Sequence, residues 1–589
     1  MNTVLKAREP SGQYLVAAEP ALLRSFDLLA TAPGATAKLR GLILSLAVQG
    51  RLVQQEPTDA PAGVLLAVIR AERSSEGTAV DQASPADAIP FDVPSNWEWA
   101  SLGEVVDLIR GITFPASEKT KVPAPNRIAC LRTTNVQHSI EWHDLLFVDR
   151  SFMGREAQLI RHHDVVMSMA NSRELVGKVA LIDHVPHAEA TFGGFLGVLR
   201  PRHIDPRYVM AVLRTDYARR ALVGSASQTT NIANISLGKL RPLPFPLPPL
   251  AEQHRIVARV EELMKLCDAL EQSGRLADEQ HARLTSTLFE ALAASESTHA
   301  LAENWQRVAE HFDLLLDRPE PIDDLEQTIL QLAVRGLLVA QEPADESGLK
   351  LATHIQWSRT ARRKIMPKSD EESFAPSGLL PASWAWASID QVSADDDRAI
   401  TDGPFGANLK TEHYIDRPGF RVVRLQNIGH GEFRDEHRAY IDESRFDELV
   451  KHQVFSGDLV VAGLIDTSIR SCAIPADIGP AIVKADCYRL SVHPLVSARY
   501  VLHYLNSAMA HEFAAIHHHG LTLTRIGLGN FRGIPIPLPP VAEQHRIVSR
   551  VEELLRLCAQ LRERLTEARR TQSQLADALV ASETDDGAN

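Results

Sequence analysis

The sequence PPLAEQHRIVARVEELMKLC at residues 248–267 returns as PPVAEQHRIVSRVEELLRLC at residues 539–558. Each copy is a proline-rich turn that runs into a charged helix, and such a duplication predicts two halves related by an internal pseudo-twofold axis. The repeat extends outward to LRGLILSLAVQGRLVQQEP at 39–57 and LEQTILQLAVRGLLVAQEP at 325–343. The offset drifts only from 286 residues (39 to 325) to 291 residues (248 to 539), so a few loop insertions separate the halves.

Between the repeated anchors lie two modules that share little obvious sequence. Short apolar runs bounded by glycine or polar turns predict strands, and matching apolar segments near each module's end predict helices. The predicted strands lie at 164–169, 178–182, 420–425 and 458–464, and the predicted helices at 206–214 and 498–505. A repeated frame with divergent inserts suggests that the frame fits something symmetric while the inserts recognise two different things. Ordinary drift after duplication is the alternative.

The anchors and modules together predict six segments. They are a helical lead-in at 1–95, a first module at 96–249, a central long helix at 250–300, a second lead-in at 301–382, a second module at 383–540 and a distal long helix at 541–589.

Both long helices carry an apolar seam with the heptad spacing of a coiled coil. The seam residues are Ile256, Val260, Leu263, Cys267 and Leu270 in the first helix and Ile547, Val551, Leu554, Cys558 and Leu561 in the second. Twofold-related halves of one chain place equivalent helices head to tail, so the seams predict an antiparallel intramolecular pair. Pairing with a second molecule in a homodimer is the alternative. The predicted fold class is α+β, with two mixed α/β modules separated by two long antiparallel coiled-coil helices.

The segments that lead into the long helices are rich in proline, PLPFPLPP at 242–249 and IPIPLPP at 534–540. Proline cannot continue a helix or serve in a central strand, so these segments are predicted to be stiff extended arms. Glu252 and Glu543 then fall in the first helical turn, where the helix dipole favours a negative charge. A proline-rich ligand for an SH3-like partner is the rival interpretation.

Composition narrows the class of protein. With 589 residues, 44% hydrophobic and 23% charged, the chain is typical of a globular protein with several structural units. Its five cysteines form no CxxC pair, so neither a disulfide framework nor a zinc site is indicated. No apolar run approaches the roughly 20 residues of a membrane span, and the N-terminus lacks a signal-peptide pattern. We therefore expect a soluble, cytoplasmic protein.

The charge is distributed unevenly. Residues 96–249 hold 18 Lys and Arg against 14 Asp and Glu, whereas 383–540 hold 15 against 19, so the two modules sum to zero. The whole net charge of −13 therefore lies outside the modules. The first module is the better electrostatic candidate for contact with phosphates.

Sequence motifs for catalysis are missing. The chain has no GxxxxGK[ST] phosphate loop, no [DN]PP[FY] adenine-methyltransferase box and no FxGxG cofactor loop. Neither nucleotide hydrolysis nor methyl transfer is predicted on this chain, so it is not expected to be an enzyme by itself.

The strings TTNIANISLGKLRPLPFPLPPLAEQHRIV (229–257) and LTLTRIGLGNFRGIPIPLPPVAEQHRIV (521–548), with GPFGANLK (403–410), resemble the specificity subunits of type I restriction-modification systems. The resemblance covers nearly the whole chain. It implies two target-recognition domains, each similar to the small recognition domain of adenine methyltransferases, held apart by antiparallel conserved helices. In that family each domain reads one half of a split, asymmetric DNA sequence, and the helices set the spacer and dock the methyltransferase subunits.

The resemblance also implies the partners and the cofactors. The expected partners are double-stranded DNA, two modification subunits that methylate adenine and two restriction subunits that translocate and cleave DNA. S-adenosylmethionine, ATP and Mg are expected on those subunits, and no cofactor is expected on this chain. A tandem-module coiled-coil scaffold without a DNA role is the alternative function.

Polar residues on loops between strands are the natural readers of base edges. In the first module the candidates are Thr113, Arg132, Thr133, Thr134, Asn135, Asn171, Ser172, Arg173, Gln228, Thr229, Thr230 and Asn231. In the second they are Phe405, Asn408, Lys410, Arg424, Gln426, Asn427, Thr467, Ser468, Arg470, Thr522, Thr524 and Arg525. A turn-stabilising or phosphate-binding role is the alternative for each one. The adjacent histidines at 517–519 cannot all converge on one ion, so no metal site is predicted.

Overall fold

A computed structural model describes residues 30–77, 89–172, 175–224, 227–229, 232–359, 380–465, 468–516 and 524–585. The chain forms two compact units, residues 1–276 with 569–589, and residues 277–568. Each unit therefore contains the first part of one long helix and the last part of the other. This exchange requires the two long helices to run antiparallel, as the sequence predicts.

The first unit contains a lead-in of two helices and a mixed domain. Its helices are α1 (Ala35–Val48), α2 (Ala62–Ser75), α3 (Leu102–Val105), α4 (Pro206–Leu213), α5 (Asp216–Gly224), α6 (Leu237–Leu240) and the beginning of α7 (Leu250–Ala293). Its strands are β1 (Glu98–Ser101), β2 (Val106–Arg110), β3 (Arg127–Leu131), β4 (Leu146–Asp149), β5 (Val165–Ser168), β6 (Ala170–Asn171), β7 (Val179–Leu181), β8 (Ala190–Phe192), β9 (Leu196–Pro201), β10 (Ser227–Thr229), β11 (Ile232–Asn234) and β12 (Pro244–Leu247).

The second unit repeats this order. Its helices are the end of α7, then α8 (Thr298–Glu310), α9 (Phe312–Leu315), α10 (Ile322–Val334), α11 (Gly348–Ser358), α12 (Ile389–Val392), α13 (Glu443–Glu448), α14 (Ala498–Leu505), α15 (Ala508–Ile516), α16 (Leu528–Gly533) and α17 (Val541–Asp585), whose last turns belong to the first unit. Its strands are β13 (Ala385–Ser388), β14 (Ile400–Thr401), β15 (Phe420–Val423), β16 (Tyr440–Ile441), β17 (Gln453–Val454), β18 (Leu459–Ala462), β19 (Leu464–Ile465), β20 (Ser471–Ala473), β21 (Ala481–Val483), β22 (Cys487–Leu490), β23 (Thr524–Arg525) and β24 (Pro535–Leu538).

The sheets of the two domains correspond one to one. The antiparallel sheet β2-β9-β5-β7 matches β14-β22-β18-β20, and the mixed sheet β4-β3-β8 matches β16-β15-β21-β17. A third sheet, β10-β11-β6, corresponds to the pair β19-β23. The strands predicted from β-type apolar runs and the helices predicted at the module ends are all present, so the α+β class is confirmed.

The proline-rich segments are extended, and the structure adds a partner strand that the sequence did not indicate. β12 pairs antiparallel with β1, and β24 pairs in the same way with β13. In both two-stranded sheets proline occupies alternate positions, such as Pro244 and Pro246 opposite Ser101 and Trp99. An antiparallel pair uses the N–H of every second residue, so proline on the other positions leaves the ladder intact.

A buried junction joins each domain to its long helix. Glu252, in the first turn of α7, is fully buried and accepts hydrogen bonds from Trp97 Nε1 at 3.0 Å and Gln55 Nε2 at 2.5 Å. Burial raises the pKa of Glu252, and the two donors act in the opposite direction. The sequence suggested only a favourable dipole interaction, but this carboxylate also links the lead-in, the domain and the helix.

The same junction recurs in the second unit. Gln341 Nε2 donates to Glu543 Oε1 at 2.5 Å, and burial raises the pKa of Glu543 as well. Gly50 and Gly336 have φ of 72° and 71°, and a Cβ on either would lie 2.4 Å from the ring of a proline, Pro94 or Pro381. These contacts explain the near-identity of the flanking sequences, because one buried arrangement is built twice.

The apolar seams serve two different contacts. Ile256 and Val260, at the start of α7, pack into the core of the first domain, which the heptad pattern did not indicate. Further along, Cys267 and Leu270 share a cluster with α1 and with α17 residues such as Ala576. A helix can pack against a domain with its first turns and against another helix with its later turns. Such a helix shows one continuous apolar stripe in sequence.

The lead-in helices bind the long helices through ion pairs of opposite polarity. In the first unit, Arg40 of α1 lies 2.7 Å from Glu271 of α7. At the equivalent positions of the second unit, Glu326 of α10 lies 3.0 Å from Arg562 of α17. The repeat therefore retains the contact and exchanges its charges.

Candidate nucleic-acid interface

A glycine contact brings separate loops together at one edge of the first domain. A Cβ on Gly111, directly after β2, would lie 2.2 Å from the carbonyl oxygen of Gly193, so only glycine fits there. Gly193 N donates to Leu131 O at 2.9 Å, which places the end of β3 at the same point. The predicted loops that contain Thr113 and Arg132 thus meet around Gly193.

The small sheet β10-β11-β6 lies beside this contact. Met169 N, just before β6, donates to Phe195 O at 2.8 Å, and Asn171 of β6 is paired with Ala233 of β11. Ser172 N donates to the side chain of Asn171 at 2.9 Å. Gln228 and Thr229 belong to β10 by their backbone. Arg173, Thr230 and Asn231, also predicted, lie outside the described residues.

The turn after β3 contains four of the predicted residues, and they differ in what they can do. Asn135 is 3% exposed, accepts from Arg132 N at 2.9 Å and donates to two backbone carbonyls at 3.0 Å. Its amide oxygen and its amide nitrogen therefore both hold the turn. Thr133 is half-buried, whereas Thr134 is exposed. Arg132 lies 2.8 Å from Asp144, and Lys121 and Arg132 lower the pKa of that carboxyl.

The turn after β15 in the second domain is built identically. Asn427 is fully buried, accepts from Arg424 N at 3.0 Å, and donates to Arg434 O at 2.8 Å and Glu436 O at 3.0 Å. Gln426 is exposed at the position that corresponds to Thr134. The geometry gives Asn135 and Asn427 a structural role, and it presents different side chains from matching turns.

The second domain has its own close glycine contact. A Cβ on Gly403, directly after Asp402, would lie 2.1 Å from the carbonyl carbon of Lys484. Two residues later Phe405 is 46% exposed, and the Arg525 guanidinium lies 4.7 Å from the centre of its ring. Arg525 Nε also lies 2.6 Å from Asp486 Oδ1. This ion pair and the ring contact hold Arg525 in one orientation.

Asp402 lies beneath this cluster. Its Oδ1 accepts from Gly403 N at 2.7 Å and from Asp486 N at 3.0 Å. Burial raises the pKa of Asp402 to about 6, despite these donors and Arg525 at 3.8 Å. The corresponding residue of the first domain is Arg110, which is exposed.

The remaining predicted residues of the second domain make contacts with other residues. Lys410 is exposed and lies 3.7 Å from Glu412, and the carbonyl of Asn408 accepts from Arg445. Arg470 Nη1 donates to Ile428 O at 3.2 Å, and Ser468 Oγ lies 3.5 Å from His430 Nε2. The backbone of Thr524 belongs to β23. Thr467 and Thr522 lie outside the described residues, as do the histidines at 517–519.

Sequence reasoning missed residues at both edges. Phe195 is 70% exposed directly after the Gly193-Gly194 turn, Asn234 is exposed at the end of β11, and Asp486 orients Arg525. The residues predicted for the first domain are all polar, so they do not include the apolar Phe195. Its signal was the glycine pair before it, because glycine allows a close backbone approach.

Each unit also has a groove between its lead-in helix, its domain and its long helix. The groove of the first unit has a volume of about 630 Å³ and that of the second about 380 Å³. The shared lining is Leu44, Arg207, Met210, Glu261 and Met264 in the first and Leu330, Arg499, Leu502, Glu552 and Leu555 in the second. The linings differ at several positions, among them Arg40 and Arg214, which correspond to Glu326 and Asn506 in the second groove. The grooves thus keep one apolar and ionic pattern in both halves.

Within the described ranges, no cluster of three or more His, Cys, Asp or Glu residues is arranged to hold a metal ion. No helix in that part of the chain is long and apolar enough to cross a membrane.

The chain is similar to proteins of one known family. The model of the type I restriction modification DNA specificity domain matches residues 94–278 and 468–568. The type I restriction enzyme EcoEI specificity subunit of Escherichia coli is 28% identical over 92% of this chain and 93% of its own length. The EcoAI specificity subunit of Escherichia coli is 29% identical, again over 92% of this chain and 93% of its own length.

The chain is also similar to solved structures, at lower sequence identity. A chain from a structure described as the basis of complex assembly and conformational transition of the type I R-M system has a TM-score of 0.46 and 17% identity, covering 84% of this chain and 99% of that chain. The HsdS subunit from Thermoanaerobacter tengcongensis has a TM-score of 0.36 and 17% identity, covering 84% and 98%.

The duplicated frame carries two mixed domains with matching sheets. The matches to the specificity domain and to specificity subunits confirm the resemblance to type I restriction-modification specificity subunits that the sequence shows.

Proposed function

We propose that this chain is the non-catalytic DNA-recognition subunit of a cytoplasmic type I restriction-modification complex. Each target-recognition domain reads one half of a bipartite, asymmetric DNA site. The observation that carries the proposal is the pair of matching turns at 132–135 and 424–427. A buried asparagine stabilises each turn in the same way, yet Thr134 is exposed on the first turn and Gln426 on the second. Two turns with the same backbone structure and different exposed polar side chains are suited to reading two different half-sites.

The repeated grooves support a second part of the proposal, the docking of two identical methyltransferase subunits. A protein with an internal pseudo-twofold axis offers the same surface twice, so two copies of one partner can bind equivalently. The shared Arg207 and Arg499, each within about 3 Å of a long-helix carboxylate, belong to this repeated surface. Methyl transfer with S-adenosylmethionine would then take place on the modification subunits, and ATP- and Mg-dependent translocation and cleavage on two restriction subunits.

Exchange of one domain tests the recognition role. Residues 100–240 are replaced by the equivalent segment of a relative with a different specificity, and methylated adenines are mapped across the genome of cells that contain the modification subunits. We expect one half of the methylated sequence to change and the other half to remain. The matched control exchanges residues 388–530 and should change the opposite half. Methylation that ignores both exchanges would contradict the proposal and favour an interaction scaffold.

The long helices are proposed to set the unread spacer between the half-sites. Four residues inserted at matched levels of α7 and α17 add about 6 Å of helix, close to two base pairs at about 3.4 Å each. We expect the mapped spacer to lengthen by one or two base pairs when both helices are extended, and methylation to be lost when only one is extended. An unchanged spacer in the doubly extended protein would remove the helices from this role.

A further inference from the structure

Each target-recognition domain exposes a phenylalanine beside its close glycine contact. Phe195 is 70% exposed and follows Gly193, whereas Phe405 is 46% exposed and follows Gly403. Single exposed apolar residues are common on proteins and have no meaning alone. These two are distinguished by their place, because both stand at the edge where the predicted base readers meet.

The two rings occupy different corners of the same three-residue site. Its first corner is two residues beyond the glycine, its second is the residue before the strand β9 or β22, and its third is the last residue of β11 or β23. In chain order the corners are Thr113, Phe195 and Asn234 in the first domain and Phe405, Asp486 and Arg525 in the second. Each domain thus combines one exposed ring with one side chain that can form two hydrogen bonds to a base.

The backbone at these corners is fixed. Phe195 O accepts from Met169 N at 2.8 Å, and Leu196 N, one residue on, donates to Gly193 O at 2.8 Å. Leu196 itself is buried. The ring of Phe195 is therefore presented on a rigid turn, which limits the conformational entropy lost when it contacts a ligand.

The bidentate groups differ in chemistry between the domains. Arg525 is oriented by Asp486 at 2.6 Å and by the ring of Phe405 at 4.7 Å. An oriented guanidinium matches the two acceptors on the major-groove edge of guanine, whereas an amide such as that of Asn234 matches adenine. Phenylalanine in the same groove makes apolar contact with the methyl group of thymine.

We propose that Phe195 and Phe405 are specificity-determining residues that contact a thymine methyl group in the major groove, next to an adenine read by Asn234 and a guanine read by Arg525. This inference rests on the proposed function and deepens it, because it assigns a base type to named residues. It adds Phe195 and Asn234 to the reading surface of the first domain.

The experiment removes the same contact in two ways, by deleting the thymine methyl group from the DNA or the phenylalanine ring from the protein. The full chain is assembled with its modification subunits, and its affinity is measured for duplexes of the mapped site in which each thymine in turn is replaced by uracil. One replacement in the half-site of the first domain should weaken binding by about fourfold, the worth of one buried methyl group. The Phe195→Ala complex should bind the thymine and uracil duplexes equally.

Phe405→Ala is the matched control and should abolish the uracil effect in the other half-site alone. Phe195 is mostly exposed, so Phe195→Ala should leave the melting temperature unchanged. Asn234→Ala should relax the mapped sequence at one adenine of the first half-site.

Three outcomes would overturn the inference. They are a half-site without thymine, a uracil effect that persists at full size in Phe195→Ala, and a change in DNA bending by Phe195→Ala without any uracil effect, which would indicate a wedge between base pairs. A wild-type complex that methylates no bipartite site would overturn the proposed function itself. If the wild-type complex methylates a bipartite site but Phe195→Ala leaves the uracil effect unaltered, only the inference would be overturned.

Discussion

The two ends of each mixed domain have diverged to different degrees. At the end that joins the long helix, Gln55 donates to Glu252 and Gln341 donates to Glu543, each at 2.5 Å. At the opposite edge the supporting glycines, the buried asparagines and the half-buried Arg132 and Arg424 recur, whereas the exposed Thr134 of one turn corresponds to Gln426 in the other. The difference shows that the two copies keep the residues that support a loop, whereas the exposed side chains of the loop differ.

The ion pairs between lead-in and long helices follow a third pattern. Arg40 with Glu271 and Glu326 with Arg562 are the same contact with opposite charges. Exchanged lead-in helices would place like charges together, Arg40 against Arg562 and Glu326 against Glu271. Such repulsion favours each lead-in for its own long helix, so part of the divergence serves correct assembly of the halves.

The largest expected effect comes from the glycine contacts that both domains share. Gly111→Ala and Gly403→Ala should each destabilise their own domain by about 3 kcal/mol or more, because the new Cβ would overlap backbone atoms. Hydrogen exchange resolved by domain measures the loss. Gly274→Ala, in an open position of α7, is the control and should stabilise the helix by up to about 1 kcal/mol. Equal tolerance at all three positions would show that the shared support is not needed.

A pH effect should separate the two domains. The pKa of Asp402 is raised to about 6, so ionisation of Asp402 above that pH costs folding free energy. Asp402→Asn should stabilise the second domain by about 1 to 3 kcal/mol at pH 7.5. The gain should shrink as the pH falls through 6 and vanish below about 4, the range of an unperturbed aspartate.

Urea unfolding of Asp402→Asn at pH 7.5 and at pH 4 would check this dependence. The first domain has the exposed Arg110 at this position, so Asp402→Asn should leave its free energy of unfolding unchanged at both pH values. A gain of the same size at both pH values would mean that the amide acts through packing and not through charge.

The two seams should differ in their energetic contributions. Leu554 packs against the core of the second unit, whereas Leu263 is half-buried and joins no buried cluster of the described chain. We expect Leu554→Ala to cost about 2 kcal/mol and Leu263→Ala about 1 kcal/mol or less. Chemical denaturation of the two variants measures the difference, and equal costs would restore the symmetric seam that the heptads predict.

The smallest effect is expected for the exchanged ion pair. Arg40→Glu should cost about 0.5 to 1 kcal/mol, since exposed pairs contribute little. The double variant Arg40→Glu with Glu271→Arg should recover about 0.5 kcal/mol in a double-mutant cycle. The reciprocal exchange at Glu326 and Arg562 is the matched control. No coupling in either unit would leave assembly to the apolar contacts alone.

Much of the frame could be predicted because its signals are local. The repeated PPxAEQH block located the long helices, and apolar runs located strands such as β5 and β18. The heptads indicated an antiparallel pair, but Ile256 and Val260 pack into a domain, since a periodic stripe does not reveal what covers it. The burial of Glu252 depends on Gln55, 197 residues earlier in the chain, and no local pattern reports that contact.

The sequence predicted that the candidate loops converge, but it did not predict the contacts of each side chain. Loop clusters from distant segments do converge around Gly193 and Gly403. Asn135 and Asn427 were predicted as base readers because asparagine in a loop is compatible with both roles, and the backbone partners of their amides favour the turn-stabilising role. Phe195 was missed because sequence patterns place phenylalanine in a core, whereas its exposure depends on the turn that carries it.

The exchange of helix ends between the two units has a consequence for the order of synthesis. The face formed by Leu39, Cys267 and Leu270 is covered by Ala576 and its neighbours on the last turns of α17. Cys267 and Ala576 are 309 residues apart (576 minus 267), so at about 5 to 20 residues per second this face waits roughly 15 to 60 seconds for its cover. The first half made is therefore completed by the last helix made, and a chain released early carries an unfinished surface at its beginning.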